Sequence, residues 1–135
     1  MFKTKSYDCI VVGAGQTPGE TIGNGRAMAV LFAREGAEVL CVDRDAERAI
    51  ETVAEIEAAG GKAHAFTADT SKSDQCAAMI AAAVARFGRL DILVNNVGIG
   101  GRGDGPAHVA DEAAFDAIVN VNLKGMWLAV KAAMP

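Results

Sequence analysis

The sequence predicts an α/β protein, a doubly wound parallel sheet with helices on both faces. Three observations carry that expectation. Short apolar runs alternate with longer Ala-rich helical stretches, the runs are bounded by Gly and Asp, and a cluster of glycines separates the first run from the first helix. Continuous apolar strands joined by amphipathic helices bury both faces of a sheet, and right-handed crossovers make such a sheet parallel.

The elements follow in order. Residues 8–12 form the first strand, stopped by Gly13, and the first helix covers 26–35 and ends before Gly36. The second strand, 38–42, runs into Asp43; Asp45 caps a helix over 46–59 that Gly60 and Gly61 terminate. The third strand is 63–67, and Ser71 or Lys72 opens a helix over 72–87 that ends at Gly88. The fourth strand is 92–95. A glycine-rich loop over 98–105, with Pro106, leads to helical sequence over 111–118 and a last helix over 121–134. Strand order 3-2-1-4 leaves Ile92, Leu93 and Val94 on an unpaired apolar edge, so the sheet is expected to be incomplete at the C-terminus.

Residues 1–135 are enough for one domain with a real core and too few for two. With 51% apolar and 22% charged residues the chain is globular, and with 5% aromatics its core is filled by Ala, Val, Ile and Leu. Charges break every apolar stretch before membrane-spanning length, and residues 1–8 lack a signal-peptide core, so the expectation is a cytoplasmic protein without a membrane partner. A net charge of −4 without a Lys/Arg cluster argues against nucleic acid. Cys9, Cys41 and Cys76 form no C-x-x-C pair; they read as small buried hydrophobes, two in strands and one in a helix, and no metal site is expected. His64, in a strand, and His108, in a loop, read as structural or solvated. The last helix carries Val121, Leu123, Met126, Trp127, Leu128, Val130 and Met134 around most of its circumference, so more than one side must be covered, by further sequence or by another subunit.

Glycine admits close backbone approach to a ligand, and a helix N-terminus offers unpaired N–H groups to an anion. Gly13 marks the strand end, but Pro18 spoils a G-x-G-x-x-G reading from there; Gly19, Gly23 and Gly25, with Asn24 between the last two, fit better. No Lys-Ser or Lys-Thr follows, which disfavours a triphosphate loop. Asp43 ends the second strand, where a carboxylate accepts from an adenosine ribose and repels a 2′-phosphate; Arg44 is placed to stack on adenine or soften that repulsion. Asp69-Thr70 closes the third strand, with Asp69 expected on the adenine amino group, and Asn95-Asn96-Val97-Gly98 closes the fourth. Together these strand ends point to an adenine dinucleotide, NAD in preference to NADP.

At these residues the chain resembles the short-chain dehydrogenase/reductase family over essentially its whole length. Gly13 with Gly23 and Gly25, Asp43, Asp69-Thr70 and Asn95-Asn96-Val97-Gly98 are similar to that family's glycine loop, acid, Asp-Val pair and Asn-Asn-Ala-Gly. The stretch Ile118 to Gly125 is similar to its next helix, in which an asparagine matched by Asn122 helps hold a water of the proton relay. The resemblance implies an NAD(P)-binding Rossmann fold, a small alcohol or carbonyl substrate for the longer protein, and a homo-oligomer through helix 121–134. The departures are Val12 for the loop Thr, Val97 for Ala, and a spacing from Gly13 to Gly23 wider than the family's usual four residues. No basic residue directly precedes Gly23, as in NAD-preferring members.

Catalysis in that family uses a Ser and a Tyr-x-x-x-Lys. Here the sole tyrosine, Tyr7, has Val11 four residues on, so these residues are expected to hold cofactor without turning over substrate. Two other readings stay open: a regulatory module that binds NAD without activity, and a methyltransferase of similar topology using S-adenosylmethionine.

Overall fold

A computed structural model describes residues 7–135, so residues 1–6, part of the stretch read for a leader, lie outside the described residues. Four strands, β1 (Asp8–Val12), β2 (Glu38–Asp43), β3 (Lys62–Thr67) and β4 (Ile92–Asn95), pair in parallel in the order β3-β2-β1-β4. The helices between them are α1 (Asn24–Arg34), α2 (Ala46–Ala58) and α3 (Ser73–Phe87). The predicted topology is therefore the observed one. Val12 stands beside both Val42 and Asn95, so the strand ends at β2, β1 and β4 align along one edge.

Alternation along each strand sorts the core into two layers. Ile10, Val12, Leu40 and Val42 pack with Met79 of α3 and with Leu128, while Cys9, Val11, Val39 and Cys41 pack with Ala29 of α1 and Ile56 of α2. Every one of these strand residues is at most 2% exposed, which is what helices on both faces require. Cys76 is buried as well. Small helix residues, Ala29 and Ala33, bring α1 close to the sheet.

Boundaries follow local chemistry. The Asp45 carboxylate accepts from the N–H groups of Glu47 and Arg48, capping α2 as expected. Gly36, Gly60 and Gly88 take positive φ just past α1, α2 and α3. β4 pairs with β1 alone among the described residues, leaving the expected free edge.

The C-terminal part corrects one expectation. Instead of separate helices over 111–118 and 121–134, α4 (Glu112–Ile118) continues through a π-helical turn (Val119–Lys124) into α5 (Gly125–Ala133). The wider turn shifts the helix phase, so that Gly125 lies on the Thr70 main chain and Leu128 and Ala129 reach the core. A β-carbon on Gly125 would stand 3.1 Å from the Thr70 carbonyl oxygen, so this crossing depends on glycine. The described residues cover only one side of the last helix. Leu123, Met126, Trp127, Val130 and Met134 are all more than 40% exposed.

No helix among the described residues is long and apolar enough to cross a membrane. His64 bridges Glu38 (Nε2 to Oε1, 2.6 Å) and Arg86 (Nδ1 to Nη1, 3.0 Å), a structural link between β2, β3 and α3; His108 is exposed.

Candidate functional site

The aligned strand ends open into a cavity of about 530 Å³. Its walls come from the loop after β1, the end of β2, the segment after β3 and the segment after β4. This is where a doubly wound sheet places its ligand, because the connections diverge from the strand ends there.

Gly13 turns the chain out of β1 with φ +76°, and its carbonyl accepts from the Asn96 side chain at 3.2 Å. The N–H of Asn96 in turn donates to Val12 at 3.2 Å, so the end of β4 is stitched to the glycine loop. Gly25 sits directly against this stitch. A β-carbon there would overlap the Gly13 carbonyl and stand 2.7 Å from Asn96 Nδ2. Helix α1 therefore starts at contact distance from the loop.

Gly23 is the N-cap of α1 and supplies no side-chain cap, which leaves the first-turn N–H groups and their partial positive charge to a ligand. The Asp43 carboxylate accepts from Gly15 N–H at 3.1 Å through one oxygen and from Asp45 N–H at 3.0 Å through the other. A β-carbon on Gly15 would come within 2.6 Å of Asp43 Oδ2, so the acid is pressed against the loop. Arg44 and Arg48 line the same cavity.

Asp69 is bound to the start of α3. Its Oδ1 accepts from the Ser71 hydroxyl at 2.7 Å and from the Ser71 N–H at 2.9 Å, and these bonds, the hydroxyl first, hold its carboxyl below the usual range. Its own N–H donates to Gln75 Oε1 at 2.7 Å. Thr70 is buried and its carbonyl accepts from the Cys76 thiol.

Eleven residues named from the sequence as cofactor-binding line the cavity together: Gly13, Gly23, Asn24, Gly25, Asp43, Arg44, Asp69, Thr70, Asn96, Val97 and Gly98. Asn122 adjoins the cavity without lining it. Its amide donates to the Ile99 carbonyl at 2.8 Å and accepts from the Ile99 N–H at 2.7 Å, so the side chain is committed to the main chain that follows β4.

Sequence reasoning missed two supports. Thr52, fully buried on α2, donates to the Ala14 carbonyl at 2.8 Å and accepts from Arg26 Nε at 3.0 Å. Gln16 bonds both Gly23 and Thr21. Thr52 gave a faint signal as a polar residue amid the apolar positions of α2; Gln16 gave none beyond lying in the long segment inserted between Gly13 and Gly23.

Residues such as these can hold an elongated anion carrying hydroxyl groups: unpaired N–H donors at a helix start, a carboxylate at the next strand end, and an aperture lined by glycine backbone. The donor set fits a dinucleotide.

Known proteins bear on this geometry. A family model described as short chain dehydrogenase matches residues 8–135. The chain is 34% identical over 127 residues to the 3-oxoacyl-(acyl-carrier-protein) reductase FabG of Thermotoga maritima, covering 94% of this chain and 48% of that protein. It is 42% identical over 112 residues to 2-(S)-hydroxypropyl-CoM dehydrogenase 3 of Xanthobacter autotrophicus, covering 83% and 43%. Among solved structures, a metagenomic short-chain oxidoreductase in complex with NADP superposes with a TM-score of 0.84 at 37% identity, covering 97% of this chain and 55% of that one. The chain thus spans about half the length of the curated relatives it matches.

Proposed function

Because the chain belongs to the short chain dehydrogenase family, which binds NAD(P), we propose that residues 1–135 are the cofactor-binding part of an oxidoreductase acting on an alcohol or carbonyl. The observation that carries this is the meeting of the eleven residues named from the sequence around one cavity at the strand ends.

In this reading the nicotinamide supplies or accepts the hydride, and the residues here bind and orient. The first turn of α1 receives the pyrophosphate, Asp43 takes ribose hydroxyls, and the second oxygen of Asp69 is free for the adenine amino group. Asn96 holds the glycine loop at its working distance from β4. Asn122 is a positioning residue: its amide is spent on Ile99, so a relay water at this point is left to main-chain groups of the π-helical turn.

NAD is the preferred cofactor in this reading, since a carboxylate at the end of β2 repels a 2′-phosphate. Arg44 and Arg48 in the same wall, and the NADP held by the structural relative, favour NADP as the second reading. The segment alone is proposed to bind without turnover, because the family's Tyr-x-x-x-Lys is not in this sequence. Three unpaired buried cysteines accord with the reducing cytoplasm. The exposed apolar residues of α5 and the turn before it are proposed as a contact between copies.

Calorimetric titration with NAD, NADP and S-adenosylmethionine tests the reading. Binding of NAD at least tenfold tighter than NADP is expected, with S-adenosylmethionine silent. Tighter NADP binding would replace the first reading by the second, and preference for S-adenosylmethionine would end both.

A further inference from the structure

We propose that Gln16 is a positioning residue of the cavity, whose side-chain amide shuts the insert between Gly13 and Gly23 into a fixed wall and thereby sets how long a dinucleotide stays bound. The inference rests on the cofactor reading above. Gln16 Oε1 accepts from the Gly23 N–H at 3.0 Å, and Nε2 donates to the Thr21 carbonyl at 3.1 Å. One half-buried side chain thus ties the beginning of the insert to its end.

Little else holds this segment in place. Residues 17–22 are all exposed, and a β-carbon built on Gly19 meets only the Thr17 carbonyl, at 3.9 Å. A segment without core contacts owes its shape to its own hydrogen bonds, and closing it costs chain entropy that those bonds must offset. Thr17, Pro18, Gly19 and Thr21 nevertheless line the cavity. The clamp also fixes chemistry at the start of α1. The N–H of Gly23, at the N-cap, is taken by Gln16, so an anion is received by the N–H groups deeper in the first turn. Clamped, the insert obstructs departure of whatever those groups hold; unclamped, it swings with the solvent.

The experiment uses the full-length protein and the variants Gln16→Ala, Gln16→Met and Gln16→Glu. Hydrogen exchange at the Gly23 amide is read without ligand, and NAD association and dissociation are read by stopped flow. Gln16→Ala and Gln16→Met remove both hydrogen bonds and should speed Gly23 exchange and NAD dissociation about tenfold, with association changed less than threefold. Gln16→Glu keeps the acceptor and should retain slow Gly23 exchange. Unchanged Gly23 exchange in Gln16→Ala overturns the clamp, and slower association with unchanged dissociation overturns its effect on dwell time. A wild type that binds neither NAD nor NADP ends the cofactor reading instead, while the exchange measurement still decides the clamp.

Discussion

The Thr52 hydroxyl donates to the Ala14 carbonyl at 2.8 Å across the gap between α2 and the glycine loop. The same oxygen accepts from Arg26 Nε at 3.0 Å, and Arg26 also pairs with Glu51 at 3.1 Å. One buried hydroxyl therefore fixes the loop after β1 against two helices. Thr52→Val keeps the volume and leaves the Ala14 carbonyl and the guanidinium short of a partner, a loss of about 1–3 kcal/mol. Urea unfolding should show a lower midpoint at unchanged slope, with Thr52→Ser recovering part of it.

Gly25 faces a harder constraint. A methyl group at this position has nowhere to go, because the Gly13 carbonyl and the Asn96 amide already occupy its space. Gly25→Ala should push α1 off the loop, destabilise by about 3 kcal/mol or more, and abolish dinucleotide binding. Gly60→Ala is the control: Gly60 has φ +82° with no atom near its β-carbon position, so only the backbone cost of about 1 kcal/mol applies. Thermal melts and calorimetry on both variants separate crowding from backbone strain.

That contrast marks how far the sequence reached. The strands were legible because period and punctuation are local signals, and their order and the eleven cavity residues because the strand-end residues follow one ordered family pattern. Asp45 was read as a cap for the same reason. The continuous helix through Val119–Lys124 was not legible, since its π-helical turn answers a tertiary demand, the packing of Gly125 on Thr70. Thr52 and Gln16 were missed because their partners, Ala14 and Gly23, are set by the closed loop. Asn122 was recognised by position only; its bonds to Ile99 depend on where the chain after β4 runs.

The buried cysteines give the protein an alkaline limit. Burial pushes the Cys9 thiol from 9.0 up to about 12, with Cys41 and Asp8 adding to it, and pushes Cys41 likewise up to about 12. Between these values the unfolded chain releases a proton that the folded chain retains, so stability falls as pH rises above 9.0, by about 1.4 kcal/mol per pH unit for each thiol. Below 9.0 these thiols contribute no slope. Urea midpoints should decline from pH 9 to 10.5, and Cys9→Ala with Cys41→Ala should flatten that decline. The opposite limb belongs to Asp69, whose lowered carboxyl stabilises the fold above its ordinary value and loses that contribution as pH falls from there to the lowered value. Asp69→Asn should therefore reduce the acid-side slope.

The apolar side chains around α5 make the last prediction. Leu123 is 65% exposed, Trp127 56% and Met134 67%, and Met126 and Val130 are both 43% exposed, on a run whose opposite side carries Leu128 into the core. Lys131 Nζ lies 5.1 Å from the Trp127 ring centroid and covers part of one face without removing the rest from water. Because these side chains are already about half buried, each contributes about half of the roughly 1.5–3 kcal/mol of a full transfer on association, and a two-fold contact counts each one twice, enough in sum to offset the entropy of joining two chains. Sedimentation of the full-length protein should show a closed oligomer, and Leu123→Glu with Trp127→Glu should shift it to monomer while leaving NAD affinity within about twofold, because neither residue lines the cavity. A wild type that sediments as monomer at tens of micromolar would overturn the contact between copies.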